Sequence, residues 1–370
     1  MARGTTIPPG PRIDGRSRKT GGNNVKRLSR LGILALGLVL LPATNAATED
    51  FYAGKRIRII VGSSSGGGYD TYARLIARHW ERHIPGKPSL VVQNMPGASS
   101  LKAMNHVANA APKDGTVIGA VQNQIAFEPI LKINGKGNAQ YDSRKLNWIG
   151  SANKEVATVF IWHTTPVKTI DDVKTREVLV GSSGVSTSSS YNSQLMNELL
   201  GTRFKVVYGY KGNAELSLAI ERGEIQGSTG MYFSSLSSNH PQWIADGKVR
   251  IIAQLALEPH PGLKGVPLLL DRVKGDPRKQ VELIFSSGLM GRPYVMPGSV
   301  PESRVKALRD SFLAVLAEPA LLAEAKRSKL EIQPLSGDAI DKLVAAAYAT
   351  PPAIVEKVRG LLRPKRDKKK

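Results

Sequence analysis

The chain has no cysteine, which excludes thiol nucleophiles, thiolate metal sites and disulfide exchange. It also lacks a comfortable membrane span. The apolar stretch LGILALGLVLLPA (Leu31–Ala43) runs for 13 residues, against the ~20 needed to cross a bilayer. Acidic residues are scarce, 30 against 52 Lys and Arg, for a net charge of +22. A nucleic-acid site would interleave basic residues with aromatics on a groove or sheet. No such cluster occurs away from the charged ends, so no nucleic-acid partner is expected. His, Asp and Glu show no metal-ligand spacing, so neither metal nor cofactor is expected. Nucleotide motifs are missing as well. The glycines Gly66, Gly67 and Gly68 are followed by Tyr69 where a P-loop needs Gly-Lys-Ser/Thr, and there is no G-x-G-x-x-G.

What is present begins at the N-terminus. Lys26, Arg27 and Arg30 precede the apolar stretch, and Thr44-Asn45-Ala46 follows it. A basic region, a short apolar region and a small residue before the cut read as a secretory signal peptide over residues 1–46, with a periplasmic mature chain. The other basic end is the tail RPKRDKKK. At 370 residues, two lobes or domains are expected.

The most informative segment is IRIIVGSSSGGGYDTYARLIARHW (Ile57–Trp80). An apolar run reads as a buried strand, a Ser/Gly loop follows, and Tyr72, Leu75, Ile76 and Trp80 fall at helical spacing. Two readings of the loop remain. GSSSG matches G-x-S-x-G with Ser64 in the nucleophile slot, and Asp171 with His240 or His260 follows in the required order, as in a secreted serine hydrolase. Alternatively, glycines let backbone N–H groups converge on an anion, with the positive end of the helix behind them. Asp70 is placed to cap that helix. The strand VLVG, the loop SSGVSTSSS (Ser182–Ser190) and another helix repeat the pattern. The bland alternative is that these serines only cap surface helices.

The rest alternates in the same way. LVVQNM, TVIGAVQ, VLVGSS, FKVVYGY and VRIIAQLAL read as strands. SSLKAMNHVANAAP, SYNSQLMNELLG and NAELSLAIERG read as helices, the last with Asn213 as cap. β-α-β alternation predicts α/β architecture with parallel pairing. From Pro301 the chain turns helical, with Val305, Leu308, Phe312, Val315 and Leu316 on one face. Tyr69, Trp162, Tyr208, Tyr232 and Phe233 are candidates to line a cleft. Trp80 and Trp148 read as core, and His163 as structural.

Taken in order, IRIIVGSSSGGGYDTYARLIARH, LVVQNMPGASSLKAMNHVANAAPKDGTVIG, WIGS, VVYGYKGNAELSLAIERGEIQG and GLMGRPYVMPGSVPESRVKALRDSF resemble the periplasmic receptors of tripartite tricarboxylate transporters, the Bug family. The likeness covers roughly residues 51–350. It implies a two-lobe Venus-flytrap fold similar to type II periplasmic binding proteins, with lobe one at 47–155 plus 253–370 and lobe two at 156–252. It also implies a non-catalytic, monomeric receptor that passes a small carboxylate to membrane permease subunits. Carried over by position, the ligand-binding residues are Ser63, Ser64, Ser65, Gly66, Gly67, Gly68, Tyr69 and Asp70 in lobe one, with Gly97, Gln122 and Asn123 flanking. Ser183, Ser186, Thr187, Ser188 and Tyr232 face them from lobe two. The chain departs from the family's usual pattern at Ser65 (proline), at Ser188–Ser190 (histidine or aspartate) and at Gln226 (aspartate), which implies a more hydroxyl-rich, less acidic cleft.

Overall fold

The computed structural model describes residues 51–135, 137–185 and 187–362. The expected leader, the basic tail from Arg363 and the candidate Ser186 lie outside the described residues. The apolar run after Lys55 forms β1 (Arg56–Val61), with Ile57, Ile59, Ile60 and Val61 almost completely shielded from solvent. It is one strand in from the edge of its sheet, pairing in parallel with the edge strand β2 (Ser89–Asn94) on one side and with β3 (Val117–Ala120) on the other. This is the arrangement expected of strands joined through helices. The same sheet continues through β10 (Pro293–Met296), β4 (Asn147–Ser151) and β11 (Leu335–Ser336), in the order β11-β4-β10-β3-β1-β2.

A second sheet holds β5 (Ala157–Trp162), β6 (Val178–Ser182), β7 (Phe204–Tyr208), β8 (Gly227–Tyr232) and β9 (Val249–Leu255), in the order β7-β6-β8-β5-β9. Here β6 runs parallel to β7 and β8, while β5 is antiparallel to β8 and β9. In the first sheet β10 is antiparallel to both β3 and β4. These reversed strands depart from the parallel expectation because alternation in sequence constrains only strands joined through a helix. β10 arrives from far along the chain, and β5 enters directly from the other sheet. The chain passes between sheets twice, at Ala152–Val156 and again between β9 and β10.

The helix Gly68–Trp80 buries Tyr72, Leu75, Ile76 and Trp80. Trp80 meets Phe312 edge-on at 5.0 Å, and its Nε1 donates to Ser311 Oγ at 2.9 Å. Phe312 lies on the helix Glu302–Leu316, whose buried face holds all five expected residues. Trp148 is also fully buried, its Nε1 donating to Ser143 O at 3.0 Å. Among the described residues no helix is long and apolar enough to cross a membrane.

One buried acid gives the fold an unusual pH response. Glu128 is 2% exposed and accepts the Asn134 amide at 2.7 Å. Burial pushes its carboxyl up to about 7. The folded protein therefore holds this proton more tightly than the unfolded chain does. Its contribution is intact below the ordinary carboxylate range and is lost as the pH climbs toward 7. Between pH 5 and 8 the wild type should lose about 3 kcal/mol relative to Glu128→Gln, whose amide oxygen still accepts the Asn134 N–H. Urea unfolding of both proteins across that range checks this, and parallel profiles would contradict it.

Candidate ligand-binding cleft

A cleft of about 800 Å³ lies between the two sheets and takes its walls from both. The loops that follow β1, β3, β6 and β7 all reach it, together with Tyr232 at the end of β8. It therefore sits at the carboxyl ends of the parallel strands, where open α/β sheets place ligands.

The first loop supplies Ser63, Ser64, Gly67, Gly68 and Tyr69 to the lining. Gly67 is the N-cap of the Gly68–Trp80 helix and offers no side chain to it. The helix's first backbone bond runs from Thr71 N to Gly67 O at 2.9 Å, so the Gly68 and Tyr69 amides precede the intrahelical ladder. The expectation that Asp70 caps this helix is corrected. Its carboxylate accepts Gly66 N at 2.9 Å, Asn94 Nδ2 at 2.9 Å and Arg74 Nε at 3.0 Å. Burial opposes its charge, but the bonds from Arg74, Gly66 and Asn94 outweigh it and hold the carboxyl below its ordinary range. Ser65, exposed, points its hydroxyl at Asp70, and Gly66 turns outward at φ +78°. Asp70, Ser65 and Gly66 shape the loop without lining the cleft.

Asn94 also donates to Ser63 O at 3.0 Å, tying the following turn to this loop. In that turn Gly97, Ala98, Ser99 and Ser100 all have positive φ, 143°, 43°, 53° and 74°. Three consecutive non-glycine residues in this region are costly, and such strain concentrates at binding sites. Gly97 lines the cleft. Ser100 Oγ donates to Gly62 O at 2.8 Å and accepts Gln122 N at 3.1 Å. Any Cβ on Gly62 would collide with the Ser100 side chain.

Gln122 lines the cleft but Asn123 does not. Asn123 is fully buried, donating to Ser287 O at 2.9 Å and accepting the Tyr232 hydroxyl at 2.9 Å. Its neighbour Gln124 does reach the cleft, with Nε2 donating to the hydroxyls of Tyr232 at 2.8 Å and Tyr191 at 2.9 Å. These bonds join the first sheet's loops to the second sheet. Burial raises the phenols of Tyr69 and Tyr232, which keeps both as neutral donors near pH 7.

From the second loop, Ser183, Thr187 and Ser188 line the cleft. Thr187 is the N-cap of the helix Ser188–Leu200, again with no side-chain cap. Its hydroxyl is held by Gly184 O at 2.9 Å and Ser182 Oγ at 2.6 Å, while Ser188 Oγ donates to Gly230 O at 2.9 Å. The hydroxyls thus hold the loop, and the amides at the start of the helix face outward from the ladder.

A third loop was not expected. Tyr210, Lys211, Gly212 and Asn213 also line the cleft, ahead of the helix Asn213–Glu221. Its N-cap is Gly212 and not Asn213, and it too lacks a side-chain cap. A Cβ on Gly212 would stand 2.7 Å from Ser64 Oγ, so the first and third loops face each other closely. The sequence YGYKGN carried the same strand–Gly loop–helix signature as the other two, so a local signal existed. Arg292 was missed for a different reason: nothing near it in sequence marks it as a cleft residue.

Of the candidate aromatics, Tyr69 and Tyr232 line the cleft. Trp162 packs against Trp243 at 5.0 Å, Phe233 against His260 at 5.0 Å, and Tyr208 is exposed with its hydroxyl 2.9 Å from Ser190 Oγ. His163 is exposed and packs on the Trp162 ring. Gln226 lies away from the lining, its Oε1 accepting Leu179 N at 2.8 Å, so that departure from the family pattern does not alter the cleft.

The residues of a Ser64 triad are not brought together. His240 bonds Ser217 Oγ at 2.7 Å, His260 bonds Glu331 at 2.9 Å, and Asp171 pairs with Lys174 and Arg272. The described residues hold no group of three His, Cys, Asp or Glu that could bind a metal ion.

In sum, three helix N-termini without side-chain caps open onto one cleft. Among the described residues, the charged residues in its lining are Lys211 and Arg292, both cations. Such an arrangement attracts an anion and repels a cation.

Comparison with known proteins gives a consistent picture. A family model described as the tripartite tricarboxylate transporter family receptor matches residues 73–360. A UPF0065 protein of Bordetella bronchiseptica is 22% identical over 305 residues, spanning 80% of this chain and 83% of its own. The fold is similar to that of the periplasmic binding protein BugD, with a TM-score of 0.67 at 21% identity over 85% of this chain and all of the other. It is also similar to an R. palustris protein solved with adipate, with a TM-score of 0.63 at 20% identity over 83% and 97% of the two chains.

Proposed function

Since the chain belongs to the tripartite tricarboxylate transporter family of receptors, we propose that it captures a small organic carboxylate in the cleft described above and delivers it to a membrane permease. The observation that carries this reading is the convergence of three uncapped helix N-termini and two cations on a wall whose described residues include no carboxylate. Backbone amides at Gly68, Tyr69 and Ser188 would hold one carboxylate from opposite sides, with Gly97 and Gln122 flanking it, while the Gly67 and Thr187 amides donate within their own loops to Ser64 O and Gly184 O. Hydroxyl and amide donors fix the ligand's orientation alongside the two cations.

The lobes are taken as 47–155 plus 256–370 and 156–255, which moves the expected boundary from 252 to 255 so that β9 stays whole in the second sheet, and they close about the two passages between sheets. Ligand contacts come from both lobes, so the ligand favours the closed state. The protein works outside the cytoplasm, exported by the leader 1–46, and acts as a monomer that meets the permease subunits at the membrane.

A thermal-shift screen against malate, adipate, citrate and their neutral amides tests this. A binder at 100 times its Kd adds about 2.7 kcal/mol of stability, a rise of several degrees. At least one acid should raise the midpoint while its amide does not. No response to any carboxylate would overturn the reading.

A further inference from the structure

Arg292 lines the cleft although its side chain is 2% exposed. It sits immediately before β10, where the chain has returned to the first sheet. Its Nη2 donates to Glu155 Oε1 at 2.7 Å, to Ser235 Oγ at 3.1 Å and to Ser234 Oγ at 3.2 Å. Glu155 lies in the first passage between sheets, and the two serines follow β8 of the second sheet. The rings of Tyr69, Tyr72 and Tyr232 surround the guanidinium, with its carbon 4.3, 5.1 and 5.3 Å from their centroids. Burial works against its charge, but Glu155 and the three phenols outweigh it and hold the guanidinium firmly protonated.

Two features go beyond neutralising Glu155. First, the buried Nε has no hydrogen-bond partner within the protein, and a buried charged donor lacking an acceptor is costly. Second, the guanidinium lies against the uncapped start of the Gly68–Trp80 helix. A Cβ on Gly68 would stand 2.7 Å from Arg292 Nη2. The guanidinium thus lies beside the start of that helix, with Nη2 already bonded to Glu155 and the two serines and Nε still without an acceptor.

We infer that Arg292 is a ligand contact and sets selectivity, donating from its guanidinium to the carboxylate held at the Gly68 and Tyr69 amides. This rests on the carboxylate reading of the cleft. The aromatic cage fixes the plane of the fork before the ligand arrives, so little side-chain entropy is lost on binding. Glu155 balances its charge when the cleft is empty. Because Ser234 and Ser235 of the second sheet hold the same guanidinium, the contact is complete only when the two sheets approach. A neutral amide at this point offers one uncharged carbonyl oxygen and sets its NH2 against a donor, so it binds more weakly than the acid.

The test is calorimetric titration of malate, adipate and citrate, and of the amide of the tightest acid. It compares wild type, Arg292→Lys and the double variant Glu155→Gln/Arg292→Gln. Arg292→Lys keeps Glu155 paired but removes Nε and the fork, and the double variant removes both charges together. Each should weaken the tightest acid at least tenfold and reduce the preference for acid over amide by a similar factor, with circular dichroism unchanged. A double variant that binds like wild type would show that Arg292 only neutralises Glu155. If the double variant fails to fold, Arg292→Lys decides alone, and affinity within twofold of wild type overturns the assignment. Wild type binding none of the three acids would instead overturn the carboxylate reading itself, and this inference with it.

Discussion

Gly67→Leu is expected to abolish carboxylate binding while leaving the fold intact. Gly67 has φ −78° and ψ 164°, extended backbone open to any residue. A Cβ there would meet Ser64 O at 3.5 Å and Ser63 Oγ at 4.0 Å, ordinary van der Waals distances. The new side chain would project from a residue that lines the cleft, over the amides that open the Gly68–Trp80 helix. An apolar residue at an N-cap costs about 1 kcal/mol or less relative to glycine, so the unfolding midpoint should fall by only a degree or two. Affinity should fall at least 100-fold, about 2.7 kcal/mol. Gly68 is the informative contrast. A Cβ there would stand 2.5 Å from Ser235 Oγ and 2.7 Å from Arg292 Nη2, so Gly68→Leu should lose stability as well as binding. Calorimetry and circular dichroism on both variants separate the cases. Retained affinity in Gly67→Leu would remove the first loop from the site.

The second large effect is expected at Glu155→Ala. Glu155 and Arg292 are each 2% exposed or less at the side chain. The Glu155 carboxylate also accepts Ser234 Oγ at 2.6 Å and Asn153 Nδ2 at 2.9 Å. Alanine would strand the Arg292 charge among three tyrosine rings with only serine hydroxyls as partners. Breaking one side of a buried pair costs about 3–5 kcal/mol, whereas replacing both sides with neutral groups is far milder. Urea unfolding should therefore show a large loss for Glu155→Ala and recovery of most of it in Glu155→Gln/Arg292→Gln. A loss below about 1 kcal/mol would mean that water reaches the pair and that the lobes do not close over it as drawn.

The two loops anticipated from sequence were legible because their signal is local. An apolar strand, a Ser/Gly loop and an amphipathic helix follow one another within about two dozen residues, and each part constrains the next. The roles of individual loop residues were less legible. Asp70 has the chemistry of a cap, but Asn94 and the Gly66 amide compete for its carboxylate, and that competition depends on how β1 and β2 pair. Asn123 reads as a cleft residue by position, yet Ser287 and the tyrosine hydroxyls draw it inward. Arg292 was invisible for the same reason that β10 was. Its environment comes from Glu155, Tyr69 and Ser235, which only the folded topology brings together. The third loop, Tyr210–Asn213, could have been found by weighing glycines before helices as heavily as serines.

The most direct measurement is a paired calorimetric titration of the purified protein with a small carboxylate, adipate first, and with its neutral diamide. Saturable one-to-one binding of the acid, with no detectable heat from the amide, is the result expected of a cleft built from helix N-termini and cations. Equal binding of both, or saturation by neither adipate nor malate nor citrate, would contradict it.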